Sequence, residues 1–237
     1  MRMKNSIRIV VGSSTLALLC AMTLVGPIAV TGSIRFPAMD VGGAGAADES
    51  WVVYRKVFKG STPEFAEIKV SRGGNCTFDI RQLSEDADPR QFAVSDPIRA
   101  KIFSLAADLH EFQGVDLDVH RKIANLGEKT FVFRSGAVMH EAKFNYTTNP
   151  SATQLYDIFE GLTRQQDHVV TLERRMRYDR LGIPAALTDL DGDLGHKMIP
   201  EPAALLPVLD QIAGDSRIVE IARTKARAMA ARIRGAK

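Results

Sequence analysis

The chain has 237 residues, of which 45% are hydrophobic, 7% aromatic and 25% charged, with a formal net charge of +3 at pH 7. This composition is typical of a globular protein with one or two domains, and it argues against disorder, collagen and a polytopic membrane protein. The charge is too close to balance to attract nucleic acid, so we expect no nucleic-acid partner.

A basic segment followed by an apolar run begins the chain. Three basic side chains within the first eight residues precede an uncharged apolar stretch from residue 9 to residue 30. A cleaved signal peptide has an apolar core of about 7–15 residues, whereas a spanning helix needs about 20. The stretch is long enough to span, and a candidate cleavage position follows it. Residues 1–31 are therefore predicted to be a signal peptide or a membrane anchor.

Both alternatives place the folded part outside the cytoplasm, because the basic flank stays on the inner side of the membrane. The protein is then either anchored in the inner membrane, or periplasmic or secreted after cleavage near Ala46 and Ala47. Lipid attachment at Cys20 is disfavoured, since Leu19 is larger than the residue that normally precedes a lipidated cysteine. Residues 32–50 are rich in glycine and alanine and are predicted to be a flexible linker.

Alternating patterns predict a strand and a hairpin after the linker. Residues 51–58, WVVYRKVF, form the first strand, and Glu64 to Leu83 form two strands joined at Gly73 and Gly74. One face of this hairpin is apolar and holds Ala66, Ile68, Val70, Cys76, Phe78 and Ile80. Cys76 has no disulfide partner in the exported part, so we predict a buried strand residue.

The next segments are predicted to be a loop, a helix and an irregular stretch. The acidic stretch from Ser84 to Gln91 is predicted to be a loop. Asp96 is the expected N-cap before Pro97, and the helix that follows carries one apolar stripe that would cover the hairpin. The stripe holds Ile98, Ile102, Leu105, Leu109 and Phe112. Residues 114–127 are predicted to be partly strand and partly turn.

A second hairpin is predicted over residues 129–146, KTFVFRSGAVMHEAKFNY, with its turn at Ser135 and Gly136. Strand, hairpin, helix and hairpin together predict an α+β fold, with a small antiparallel sheet of about five strands packed against one helix. We predict that this α+β domain covers residues 51–165 and that residues 166–237 form a helical extension.

Helical patterns dominate the last third of the chain. A long helix is predicted after Asn149, with a bend or break at Gly161. Further helices are predicted to begin at residues 182–184, at residues 200–202 and after residues 214–216. The apolar face of the long helix holds Leu155, Ile158, Phe159, Leu162, Val169, Leu172 and Met176.

In layout, this order of elements resembles exported bacterial domains with no assigned activity. The resemblance covers about residues 51–165 and depends on the two hairpin segments, FKGSTPEFAEIKVSRGGNCTFDIRQL and KTFVFRSGAVMHEAKFNY. It includes no functional motif, so it assigns no site residues.

No spacing of histidines or carboxylates assigns a chemistry. The histidines are far apart and show no zinc-ligand spacing: His110, His120, His140, His168 and His196. His140 shares the parity of the apolar strand positions and is expected to be half-buried. Several carboxylates could supply an acid/base pair, but their spacing selects no two of Asp116, Asp118, Glu141 and Asp157. Known catalytic and nucleotide-binding motifs are missing, so no catalytic residue, cofactor or metal ligand is assigned.

The polar cluster from Asp189 to His196 is the most suggestive segment, because its alternating carboxylates could present oxygens to a hard cation. The match to a calcium loop is poor. Counting from Asp189, Leu194 stands where glycine is needed and Pro200 stands where glutamate is needed. We predict a solvated turn between helices, with a weak cation site as the alternative.

Basic side chains gather on two predicted helices. One group, next to Tyr178, holds Arg174, Arg175, Arg177 and Arg180. The other group crowds the last helix and holds Arg217, Arg223, Lys225, Arg227, Arg232, Arg234 and Lys237. The core face of that helix would hold Ile218, Ala222, Met229 and Ile233. The simpler interpretation is a solvated face, and the alternative is attraction to anionic lipid headgroups or an acidic partner.

These features favour a non-enzymatic binding module of the cell envelope, exported or membrane-tethered, with a protein or a membrane surface as its partner. The alternative is an extracytoplasmic hydrolase with a carboxylate or metal site, for which Asp189 to His196 is the candidate. Pairing of an exposed strand edge with a target is a further alternative, as for any open sheet.

Overall fold

The structure of the protein, a computed structural model, describes residues 49–235. Within this range the strands are β1 (Trp51–Val57), β2 (Phe65–Ser71), β3 (Cys76–Arg81), β4 (Arg90–Phe92), β5 (Glu128–Ser135) and β6 (Val138–Phe144). They form one six-stranded antiparallel sheet in the order β4-β3-β2-β1-β5-β6. The predicted signal peptide or anchor and most of the predicted linker lie outside the described residues.

Five α-helices complete the α+β fold of this part of the chain. They are α1 (Asp96–Asp108), α2 (Pro150–Tyr178), α3 (Ile183–Gly195), α4 (Leu206–Gly214) and α5 (Glu220–Gly235). Short 3-10 helices lie at His110–Phe112, Arg180–Gly182 and Pro202–Leu205. Among residues 49–235, none of the helices combines the length and the apolar character needed to cross a membrane.

Both predicted hairpins are confirmed. β2 and β3 pair from Phe65 opposite Arg81 to Val70 opposite Cys76. Gly74 (φ 101°) provides the left-handed backbone that the turn between them requires. β5 and β6 pair in the same antiparallel way, and β1 lies between the two hairpins, hydrogen-bonded to β2 and β5.

The segment after the first hairpin differs from the prediction. The loop predicted from Ser84 to Gln91 ends before Arg90, because Arg90–Phe92 form β4 against the start of β3. The sheet therefore has six strands rather than about five. A strand of three residues is too short to show an alternating pattern, which is why the sequence does not reveal it.

The start of α1 and the stretch after it also need correction. Ser95 is the N-cap, with extended φ and ψ of −64° and 152°, and Asp96 is already the first helical residue. Residues 114–127 contain no strand. Positive φ angles at Gly114, His120 and Gly127 interrupt the extended backbone there.

Two helices, rather than one, cover the apolar face of the sheet: α1 and the first half of α2. At the centre of this core lies the fully buried ring of Phe131. The rings around it, with centroid distances of 5.1–6.2 Å, are those of Tyr54, Phe112, Phe144 and Phe159. α2 therefore belongs to the sheet domain as well as to the helices that follow.

α2 is continuous through Gly161, so the expected break does not occur. A Cβ atom at this position would lie 3.0 Å from Pro200 Cδ and 3.2 Å from Met198 O. The glycine thus permits the close approach of a second backbone segment, which is a common use of glycine inside an element. The proposed boundary at residue 165 falls inside α2, and the division into two domains stays a prediction.

The second half of α2 forms a separate apolar core with α3, α4 and α5, which we call the helical layer. Its buried members include Leu172, Ile183, Leu187, Leu190, Leu209, Ile212, Ile218, Ala222 and Met229. The core face predicted for the last helix is confirmed, with Ile233 partly buried.

We expect Gly127→Ala to lower the free energy of unfolding by about 2 kcal/mol. Gly127 has a φ of 88°, and an added Cβ would lie 2.8 Å from Phe58 Cβ and 3.1 Å from Val57 O. The matched control is Gly60→Ala, with a φ of 80° and open space around it, which carries only the left-handed backbone cost of about 1 kcal/mol. Urea unfolding measures both, and equal losses would contradict the steric argument.

Candidate functional site

The prediction of a solvated turn from Asp189 to His196 is wrong, because residues 189–195 form the second half of α3. Burial of Leu187 and Leu190 keeps this segment helical in spite of its glycines and aspartates. Asp191 pairs with Arg232 and lies 3.8 Å from the Lys225 ammonium, and the Arg232 hydrogen bond lowers the pKa of Asp191. No group of three or more His, Cys, Asp or Glu side chains within residues 49–235 is positioned to hold a metal ion.

Asp193 joins α3 to α2. Its carboxylate lies 2.7 Å from His168 Nε2 and 3.5 Å from Arg164 Nη1. The His168 and Asp193 side chains are 13% and 20% exposed. Two residues whose connection the sequence does not predict, His168 and Asp193, therefore form a half-buried pair that holds α3 against α2. The other two polar side chains of the cluster, Asp189 on α3 and His196 at its end, are exposed.

Asp116, Asp118 and His120 come together in an exposed turn. His120 Nε2 lies 2.6 Å from Asp116, and this hydrogen bond lowers the pKa of Asp116 and raises the pKa of His120. Asp118 accepts hydrogen bonds from the backbone of Asn145 and Tyr146, which lower its pKa. Asp118 thereby ties the 114–127 segment to the end of β6, so its contacts are structural.

The other candidates from the sequence stay apart. Glu141 and Asp157 are exposed on β6 and α2, and His110 is exposed beyond α1. His140 is half-buried on β6 as expected. Cys76 is buried on β3, and burial raises the pKa of its thiol, which makes the thiolate less available.

A polar network crosses the apolar face of the sheet, and the sequence hardly predicts it. Tyr54, which is fully buried, donates its hydroxyl hydrogen bond to Glu160 over 2.6 Å, and Lys56 donates to the other carboxylate oxygen over 2.8 Å. Burial raises the pKa of Tyr54, so its hydroxyl remains a donor. The one available signal is that Lys56 falls on the same strand parity as Val52 and Tyr54.

Lys129 is a second charged residue at an apolar strand position, and it is 3% exposed. Its ammonium group donates to the carbonyl oxygens of Leu126, Gly127 and Asn145 over 2.7–3.2 Å. Burial lowers the pKa of Lys129. Its three acceptors belong to backbone around β5 and β6, so its role is to hold those segments together.

An open cleft of about 250 Å³ lies between α2 and the turn that follows β1. Its charged lining consists of Lys56, Glu64, Glu160, Arg164 and Asp167. Within residues 49–235, Asp167 makes no hydrogen bond or ion pair, and burial raises its pKa. The cleft thus combines a carboxylate held by Lys56 and Tyr54 with a second, desolvated carboxyl group.

We expect Asp167→Asn, at a partly exposed position, to increase the free energy of unfolding at pH 7 by less than about 1 kcal/mol. Because the folded state raises the pKa of Asp167, its ionised form costs stability above the folded pKa, and that cost vanishes below the ordinary value of 3.8. Urea unfolding at pH 7 should show the higher free energy of unfolding of the variant, and urea unfolding below pH 3.8 should show that the difference has disappeared. The exposed Asp189→Asn is the control. A loss of stability at pH 7 would contradict a desolvated, unpartnered Asp167.

Four large apolar side chains are exposed at one end of the helical layer. Two side-chain contacts show that α3 and α5 run side by side in the same direction. Lys225 donates to Thr188, and Arg232, later on α5, donates to Asp191, later on α3, so the sequence separations are similar at 37 and 41. The first turns of α3 and α5 therefore lie at the same end of the helical layer. The last turn of α2 also lies at this end, because only four residues separate it from α3. The apolar side chains there are Tyr178 (82% exposed), Leu181 (81%), Ile221 (71%) and Val219 (39%).

Arginines surround these apolar side chains. Arg174 and Arg177 are exposed and form no ion pair within residues 49–235, and Arg180 lies near enough for its charge to lower the pKa of Asp215. We call this surface, made of Tyr178, Leu181, Val219, Ile221, Arg174, Arg177 and Arg180, the helical end. It differs from most of the basic surface of α5, where Arg223, Arg227, Arg232 and Arg234 are paired with carboxylates.

No protein-family model matches the chain, and no curated protein is significantly similar to it.

Proposed function

We propose that the protein is a non-enzymatic binding module of the cell envelope and that the helical end is its contact surface. Residues 1–31 would serve either as its signal peptide or as its membrane anchor. One observation carries the proposal: three large apolar side chains, each more than two-thirds exposed, share one end of the helical layer with unpaired arginines. Isolated exposed apolar residues are common, whereas apolar residues grouped with arginine and tyrosine are typical of contact surfaces.

The contact surface can be tested in cells with a photo-cross-linking amino acid at Leu181 in the full-length protein. We expect Leu181 to yield a discrete cross-linked product, to protein or to lipid, because it is 81% exposed in the helical end. The matched control is Met139, which is 64% exposed on the edge strand β6. Absence of a product at Leu181, or the same product from both positions, would contradict the proposal.

A second function, an extracytoplasmic hydrolase, is favoured by the cleft rather than by the segment from Asp189 to His196. Glu160 and Asp167 line the same cleft, and burial raises the pKa of Asp167, as is common for a general acid. This function predicts turnover of ester or glycoside substrates that Asp167→Asn abolishes while the protein stays folded. Turnover that persists unchanged in Asp167→Asn would exclude this cleft as its site.

A further inference from the structure

The helical end combines apolar exposure with an excess of positive charge. Three carboxylates at this end are already held by arginines: Asp179 by Arg175, Asp215 by Arg217, and Glu220 by Arg223 and Arg227. Arg174, Arg177 and Arg180 remain without an ion pair among residues 49–235. The surface therefore carries an excess of positive charge. Asp167, which is unpaired within the described residues, lies about two turns earlier on α2, near enough for the charge of Arg174 to oppose the effect of burial on its pKa.

The arrangement of these side chains fits a layered partner. Arg174 and Tyr178 are one helical turn apart on α2, so they lie on the same face of the helix. Leu181 lies just before α3 and Ile221 lies in the first turn of α5, and their side chains are 81% and 71% exposed. A bilayer surface offers phosphates to arginine, an interfacial region that tyrosine prefers, and acyl chains to leucine and isoleucine.

A membrane anchor in residues 1–31, as proposed above, would bring the helical end within reach of a bilayer. If residues 1–31 anchor the protein, the roughly 17 residues between that segment and residue 49 can extend by at most about 60 Å. This upper limit exceeds the length of α2, the longest described helix, which is about 44 Å for its 29 residues. Tethering also raises the effective concentration of a weak membrane contact.

We propose that the partner of the helical end, the contact surface of the proposed function on which this assignment depends, is an anionic lipid bilayer. Arg174, Arg177 and Arg180 contact lipid phosphates, Tyr178 lies at headgroup level, and Leu181 and Ile221 insert at the acyl boundary. An acidic protein surface would account for the arginines, but it would leave the exposed side chains of Leu181 and Ile221 without an apolar environment.

The test uses the full chain with Leu181→Trp, held in phosphatidylcholine nanodiscs so that the apolar N-terminal segment is already occupied. Vesicles containing phosphatidylglycerol and brominated lipid are then titrated in, and tryptophan quenching is compared with that of the unsubstituted protein, which reports Trp51 alone. We expect quenching at position 181 with phosphatidylglycerol vesicles and none with phosphatidylcholine vesicles. High salt should weaken the binding, because salt screens the arginine contacts.

Two variants sharpen the test. Met139→Trp, on the edge strand β6 of the sheet, is the matched control and should show no quenching. Arg174→Gln combined with Arg177→Gln should lower the binding constant roughly 30-fold, since both residues are exposed and free to contact lipid. Equal quenching by both vesicle types, no quenching at position 181, or an unchanged binding constant in the double variant would overturn the lipid assignment.

The cross-linking experiment separates this assignment from the proposed function. A protein cross-linked at Leu181 in cells, without quenching by vesicles, would keep the helical end as a contact surface and overturn the lipid partner. Absence of both signals would overturn both proposals.

Discussion

Phe131→Ala is expected to lower the free energy of unfolding by about 4 kcal/mol. Phe131 is fully buried on β5, and its ring contacts four other aromatic rings from β1, the turn after α1, β6 and α2. Truncation would remove the favourable transfer free energy of the buried ring. It would also leave a cavity, because the four surrounding elements come from different parts of the chain and cannot all move inward to fill it. Urea unfolding followed by circular dichroism measures the loss.

The control for Phe131→Ala is Met139→Ala on the neighbouring strand. Met139 is 64% exposed, so its truncation should change the free energy of unfolding by less than about 0.5 kcal/mol. A loss below about 1.5 kcal/mol for Phe131→Ala would show that the aromatic cluster is not the centre of the core.

Glu160→Ala is expected to lower the free energy of unfolding by about 3 kcal/mol. The substitution would leave the Tyr54 hydroxyl buried without its 2.6 Å acceptor and the Lys56 ammonium, 26% exposed, without its carboxylate. An unsatisfied buried hydroxyl costs about 1–3 kcal/mol, and the partly exposed lysine adds a smaller amount.

A double-mutant cycle with Tyr54→Phe isolates the buried hydrogen bond from the other effects of Glu160→Ala. Tyr54→Phe alone should cost about 1 kcal/mol, and the double variant should be less unstable than the sum by about 1–2 kcal/mol. Glu160→Gln keeps an acceptor for Tyr54 and should cost less than Glu160→Ala. Strict additivity in the cycle would mean that Tyr54 and Glu160 do not interact.

The local parts of the fold could be predicted from the sequence because they follow from periodicity. Alternation on either side of Gly74 and Gly136 specifies both hairpins, and the apolar spacing of Ile98, Ile102 and Leu105 specifies α1. The last two members of the predicted stripe, Leu109 and Phe112, lie beyond the end of this helix. β4 and the second helix on the sheet could not be predicted, since a three-residue strand carries no period and the packing of α2 depends on distant contacts. The helix at Asp189 to Gly195 forms against local preference, because Leu187 and Leu190 are buried in the helical layer.

The candidate sites were harder to predict than the fold. Lys56 at an apolar strand position resembles a strand end in sequence, and its partner Glu160 lies 104 residues later in the chain. The basic character of the last turn of α2 is visible in sequence. The sequence does not show which arginines remain unpaired, because the pairs form between helices. Leu181 and Ile221 lie at the same end only because α3 and α5 run in the same direction.

The central claim, that the helical end is the surface by which the protein contacts the envelope, is tested most directly by hydroxyl-radical footprinting of the full-length protein. The comparison is between intact envelopes and detergent solution. We predict that Tyr178 and Leu181 are oxidised several-fold more slowly in the envelope, while Tyr146 and Met139 are oxidised at unchanged rates. Unchanged rates at Tyr178 and Leu181, or equal protection of Met139, would contradict the claim.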